Sequence, residues 1–127
     1  MSVEALVRLQ LEVTPYLRDI FALYPIVPIA FIGWLWRKLK TERSQRDGIP
    51  YEDLEIDHVK PKWRGGTDTE SNLRAVTRPE HAEKHFKQAS EAKDRKTARA
   101  EYWAVSAIVS RMKPNEVKDF NQRIKRR

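Results

Sequence analysis

Apolar residues open the chain at close to helical spacing: Val3, Leu6, Val7 and Leu11 follow Ser2, a residue type that caps helix starts. Thr14-Pro15 then offers a restart, a capping hydroxyl followed by proline at the first helical position. From Ile20 to Trp36, IFALYPIVPIAFIGWLW, seventeen residues pass without a charge. That length is the lower edge of a membrane span, and Arg37, Lys38, Lys40 and Arg43 would hold its far end on the cytoplasmic side. Pro25, Pro28 and Gly33 interrupt the run, and no cationic segment precedes it as in a signal peptide. It reads as a broken helical segment forming core, or a face for a homo-oligomer or partner protein, in preference to a membrane contact.

The middle of the chain changes period. A basic helical segment, Trp34 to Arg46, closes at Asp47-Gly48 and Pro50. Leu54 to Val59 predicts a short strand, Lys60 to Ser71 a loop turning at Gly65-Gly66, and Asn72 to Thr77 a second strand. Thr77 with Glu80 three residues on is a capping box for a helix starting near Pro79. That helix is expected to continue through the polar run Ser90 to Glu101. Beyond it, Tyr102, Trp103, Val105, Ile108, Val109 and Met112 restore an apolar stripe. The stripe needs an apolar partner, so Phe31, Trp34 or Leu35 is expected against Trp103, Ile108 or Val109. Pro114-Asn115 opens a last short helix ending in the basic tail Arg123, Lys125, Arg126 and Arg127.

At 127 residues the expectation is a single domain, residues 1–127, with a helical apolar part (1–46), a central motif (54–86) and a helical basic part (87–127). The absence of cysteine excludes disulfides and cysteine-ligated zinc, so apolar packing must brace the fold. The net charge of +7 is uneven. Residues 1–36 hold Arg8 and Arg18 against Glu4, Glu12 and Asp19, so the whole basic excess lies in residues 37–127. A polyanionic partner fits that distribution.

All three histidines fall within Leu54 to Phe86, LEIDHVKPKWRGGTDTESNLRAVTRPEHAEKHF. His58 directly follows Asp57; Asn72 comes fourteen residues later, His81 nine after that, and His85 four after that. His81 and His85 share one helix face, from which both can reach a single ion. Strict strand alternation would put Asp57 and His58 on opposite faces, so the chain must bend or end its strand there. Identities, order and spacing resemble the HNH endonuclease family, whose ββα-metal motif carries an Asp-His or His-His pair, a central Asn and helical His ligands. The lack of Cys-x-x-Cys bracing departs from many relatives.

The resemblance implies an α+β, mainly helical fold, with a ββα-metal core of antiparallel hairpin and helix flanked by N- and C-terminal helices. It implies a metal-dependent hydrolysis of DNA phosphodiesters that leaves a 5′-phosphate and a 3′-hydroxyl. His58 would activate water, and Asp57, His81 and His85 would hold a divalent ion. Asn72 would either brace the loop or help ligate. Mg²⁺ or Mn²⁺ would be the working ion, with Zn²⁺ or Ni²⁺ also suited to two imidazoles. No small-molecule cofactor is called for. Lys60, Lys62, Arg64, Arg74 and Arg78 surround the motif as candidate phosphate contacts, and Trp63 among them has a stacking role or covers the core edge. A cytoplasmic enzyme is expected. The rival readings are a toxin-type nuclease whose N-terminal segment engages a membrane or an inhibitor, and a nucleic-acid-binding protein that keeps the motif without catalysis.

Overall fold

Thr77 ends a strand and caps a helix, and the rest of the chain folds around that junction. A computed structural model describes residues 2–13 and 26–127. Thr14-Pro15, and the apolar run from Ile20 through Pro25, lie outside the described residues. Helix α1 spans Val3–Val13 and α2 spans Ile26–Asp47. A 3-10 turn at Tyr51–Asp53 leads into strand β1, Leu54–His58, which pairs antiparallel with β2, Leu73–Thr77. Helices α3, Arg78–Glu91, α4, Arg95–Val109, and α5, Pro114–Lys125, complete the order. The result is a mainly helical α+β fold with a ββα core, as the sequence predicted.

Local chemistry explains most boundaries. The Thr77 side chain accepts from the Glu80 amide while the Glu80 carboxylate accepts from the Thr77 amide, a complete capping box. Helix α2 begins eight residues before the predicted Trp34, because Pro28 falls in its first turn, where an amide has no helical acceptor to lose. The predicted continuous helix through Ser90 to Glu101 is broken at Ala92–Asp94. Ala92 is extended, and Asp94 accepts from the Thr97 amide at 2.7 Å, so a new helix starts at Arg95.

That break lets α4 fold back along α3. Ala82, Val105, Ile108 and Phe120 form a buried cluster, with Phe86, Val109, Met112 and Ile124 packed against it. Phe86 meets Phe120 edge-on at 6.5 Å between ring centroids. The apolar stripe of α4 therefore packs on α3 and α5, and Trp103 stands 73% exposed. This corrects the expected packing against Phe31 and Trp34. The physical reason is proximity: α4 follows α3 after a three-residue break and folds straight back onto it, so closing that contact costs little chain entropy, and Phe120 and Ile124 of α5 complete the cluster. Phe31 and Trp34 instead lie beside each other, 6.0 Å apart, and Leu35 is buried. Among the described residues no helix is long and apolar enough to cross a membrane.

Two arginines lock these layers. Arg43 on α2 donates to both Glu80 carboxylate oxygens, at 2.8 and 3.1 Å, and to the Ala75 carbonyl. Arg78, expected among the phosphate contacts, is turned inward: its guanidinium meets Glu116 of α5 at 3.0 Å, Asp53 at 3.4 Å and the Glu52 carbonyl. Glu116 is buried, so removing Arg78 would leave a carboxylate uncompensated. Arg78→Met is expected to destabilise the fold by about 3–5 kcal/mol in urea unfolding, with Arg78→Lys recovering only part because a point charge cannot reproduce the fork.

Candidate metal centre

The hairpin sets the positions of the predicted residues. Asp57 pairs across the strands with Arg74, and His58 with Leu73. Glu55 and Asp57, two residues apart on one strand, reach the α3 side, where Glu55 meets His81 and Asp57 meets Lys84. His58 is the last strand residue, and the chain turns away after it. The Lys84 ammonium joins the two by donating to Asp57 Oδ1 at 2.7 Å and to the His58 carbonyl. The strand ends at His58, and both side chains line one cleft, which resolves the conflict with strict alternation.

Asn72 holds the intervening loop. Its Oδ1 accepts from the Lys60 amide at 2.8 Å, and its Nδ2 donates to the carbonyls of Lys60 and Thr67 at 3.0 and 2.8 Å. The Val59 amide donates to the Asn72 carbonyl as well. With both amide hydrogens committed to the loop, Asn72 braces it, and it lies outside the convergent ligand group. Gly66 makes the loop's tight crossing: a β-carbon there would fall 1.8 Å from the Lys60 carbonyl oxygen. Gly65 supplies the left-handed conformation beside it, at φ 85°.

Donor atoms of Asp57, His81 and His85 all lie within 4.8 Å of one another. The imidazoles stand 5.0 Å apart between centroids, and His81 Nε2 is 3.7 Å from Asp57 Oδ1. Each imidazole has its Nδ1 on a carboxylate, His81 on Glu55 at 2.9 Å and His85 on buried Glu101. Nδ1 is thereby occupied, and Nε2 of each ring is left for an ion. A carboxylate behind a histidine fixes the tautomer and raises its basicity as a ligand. One carboxylate and two imidazoles suit a divalent transition ion or, with water completing the shell, Mg²⁺ or Mn²⁺. The donor set fits the group that the sequence implied.

Behind the ligands lies a second layer of charge. Burial favours the neutral form of Glu55, but hydrogen bonds from His81 and Arg111 outweigh it and hold its carboxyl down at about 2. Arg111 grips both Glu55 oxygens, at 3.0 and 3.1 Å. Asp57 is buried, with Arg74 on Oδ2 at 3.0 Å and Lys84 on Oδ1. His58 Nε2 lies 2.7 Å from Asp68 Oδ1, and Lys62 is on the other Asp68 oxygen at 2.8 Å. Together, the hydrogen bond from His58 first and the Lys62 contacts after it hold the Asp68 carboxyl below its usual range.

These residues enclose a cleft of about 460 Å³. Its floor is Ile56, Asp57 and His58 of β1 with His81, Lys84 and His85 of α3. One wall is the loop, Pro61 to Trp63, and the other is α4, through Ala100, Glu101 and Ala104. Lys60 and Arg64 lie exposed on the loop, with the Arg64 guanidinium 4.6 Å from the Trp63 ring. Of the five candidate phosphate contacts, four are thus within the motif's accessible surface, and Arg78 is not.

Residues 41–87 match the family model for HNH endonucleases. The matched stretch holds Asp57, His58, Asn72, His81 and His85 together. It begins in the last turns of α2, includes Arg43, and ends just after His85. No curated protein and no solved structure matches the chain. Sequence reasoning missed Glu55, Asp68, Lys84 and Glu101. Two of them left a trace: Glu55 shares a strand face with Asp57, and Glu101 stands four before Val105 and seven before Ile108, on an apolar stripe. Asp68 and Lys84 carried no such signal.

Three outcomes test this arrangement. Glu55→Gln and Glu101→Gln are each expected to weaken Mn²⁺ binding about 10–100-fold by calorimetry, with the fold intact. A carboxyl depressed in the folded state stabilises above its unfolded value and loses that contribution as it protonates. Wild-type stability is therefore expected to fall between pH 4.5 and about 2 by an increment that Glu55→Gln lacks. Gly66→Ala is expected to cost about 1–3 kcal/mol, the scale of overpacking, seen as a lower Tm.

Proposed function

We propose that the protein is a metal-dependent HNH endonuclease that hydrolyses phosphodiester bonds in DNA. The observation that carries the reading is the convergence of Asp57, His81 and His85 beside His58 at one cleft, within a segment matching that family. When bound, a divalent ion supplies Lewis acidity to the phosphate and the departing oxygen. Asp57, His81 and His85 would hold it.

The remaining chemistry falls to the chain. His58 is the general base. With Asp68 accepting from Nε2–H, Nδ1 keeps the lone pair that takes a proton from water. Asp68 also stabilises the imidazolium that results. Asn72 keeps the loop closed on Lys60 and Thr67, so that His58 stays aimed while substrate pulls on the loop. Lys60, Lys62, Arg64 and Arg74 grip flanking phosphates. Arg74 also orients Asp57, so its loss would act on binding and on the ligand together. The resemblance to the family implies products with a 5′-phosphate and a 3′-hydroxyl.

Supercoiled plasmid with and without chelator is the decisive assay. Mg²⁺ or Mn²⁺ is expected to give nicked or linear product, and EDTA to stop it reversibly. His58→Ala should lower turnover about 10²–10⁴-fold while Mn²⁺ affinity stays near wild type, because the residue activates water without ligating. His81→Ala or Asp57→Ala should weaken ion binding itself. Near-normal turnover in His58→Ala would remove it as the base, and unchanged affinity in His81→Ala would remove the helical ligand.

A further inference from the structure

The cleft has a wall that neither the motif nor the family match includes. Helix α4 lies beyond residue 87, yet its Ala100 and Ala104 line the cleft opposite the loop. Successive residues advance about 100° around a helix. Turning from Ala100 away from the buried side and past Ala107, the next positions are Lys96, then Trp103, then Arg99. All three are exposed. Trp103 is the most exposed large apolar residue described, and with Arg95, Arg99 and Tyr102 it lines an open depression on the outer side of α4, with Trp103 at the edge nearest the cleft. Among the described residues Arg95, Lys96 and Arg99 form no ion pair, whereas most cations around the site do. Small residues at Ala100 and Ala104 leave a low crest between this face and the metal centre.

The opposite wall has the same composition. Trp63 is 62% exposed at the cleft's loop edge, with the Arg64 guanidinium over its ring. An exposed indole near an arginine, on the loop wall and again on the outer side of α4, presents a flat face that a flat partner can cover. Bases provide one only when unpaired, because in a duplex their faces are stacked on each other. Aromatic platforms interleaved with cations are how single strands are held without sequence readout.

We propose that the Lys96–Arg99–Trp103 face of α4 binds single-stranded DNA, which crosses the Ala100–Ala104 crest into the cleft and stacks a base on Trp103 and another on Trp63. The proposal rests on the endonuclease reading and sharpens it: unpaired DNA at or beside the scissile phosphate is the preferred substrate.

The test separates binding from cutting. In EDTA, where no strand is cut, polarisation of a labelled single-stranded oligonucleotide of about 16 nucleotides, a length suited to such sites, is compared with the same sequence as duplex. Wild type is expected to favour the single strand. Trp103→Ala should weaken single-strand binding about 5- to 150-fold, the loss of one stacked base, while Trp103→Phe keeps most of it. Arg99→Gln should flatten the salt dependence by about 0.7 in log–log slope, one phosphate contact on a single strand. Unchanged affinity in Trp103→Ala, with circular dichroism showing α4 intact, overturns the proposal. So does equal or better binding of duplex by wild type. A wild-type dimer that dissociates in Trp103→Ala without change in DNA affinity also overturns it and makes the face a self-interface. Plasmid cutting by wild type alongside unchanged Trp103→Ala binding would sink this surface and leave the nuclease reading standing. Trp103-dependent binding without any metal-activated cutting would do the reverse.

Discussion

Arg78 is the interaction on which the others depend. A guanidinium that leaves the start of α3 and is sunk between α5 and the turn before β1 must find acceptors on both, and it does, on Glu116 and on Asp53 and the Glu52 carbonyl. Its Nε also stands 3.5 Å from Glu55. Because Glu55 is in turn the acceptor for His81, the same cation that holds α5 against the hairpin helps fix the first helical ligand. One side of the candidate metal centre is therefore backed by the same packing charge. Apolar contacts alone, a small cluster around Ile108 and Phe120, would leave the relative rotation of α3 and β1 loosely specified.

Charge is used inward here to an unusual degree for a chain so basic. Asp57, Glu101 and Glu116 are all buried, and each meets a cation or an imidazole. Buried charges are costly unless paired, which ties the site's integrity to having every partner in place. The same property divides the basic residues into two populations. Arg43, Arg78 and Lys84 are committed to structure, while Lys60, Arg64, Lys96 and Arg99 remain at the surface facing solvent. Net charge alone could not separate them.

The sequence was legible where a local rule decided the outcome. Strand period, the Gly65-Gly66 turn and the Thr77–Glu80 box placed the hairpin and the start of α3 to within about a residue. Identity and spacing singled out Asp57, His58, Asn72, His81 and His85, and the structure brings Asp57, His81 and His85 together with His58 alongside. What stayed hidden was decided at a distance. Ser90 to Glu101 is made of residues that tolerate a helix, so nothing marked the break until Asp94 was seen capping its own amides. The α4 stripe had two apolar suitors, and α3 won because the break at Ala92–Asp94 folds α4 straight back onto it, with Phe120 of α5 closing the cluster. Arg78 looked like its basic neighbours in sequence. Only the approach of Glu116, thirty-eight residues later, shows that it is not one of them.

The break at Ala92–Asp94 has a bearing on what the smallest working unit is. Folding α4 back brings Glu101 behind His85 and Arg111 onto Glu55, and both of these supports lie past the end of the matched stretch. An excised hairpin and helix would carry the three candidate ligands and Glu55, but not Glu101 behind His85 or Arg111 behind Glu55. The His85 imidazole would be free to rotate and to choose either tautomer, while His81 would keep a Glu55 that has lost its own anchor. The portable module is thus longer than the matched stretch: it runs from the hairpin through Arg111, and any transplantation, circular permutation or recombination point within residues 88–111 cuts through the supports of the candidate metal centre although no candidate ligand lies there.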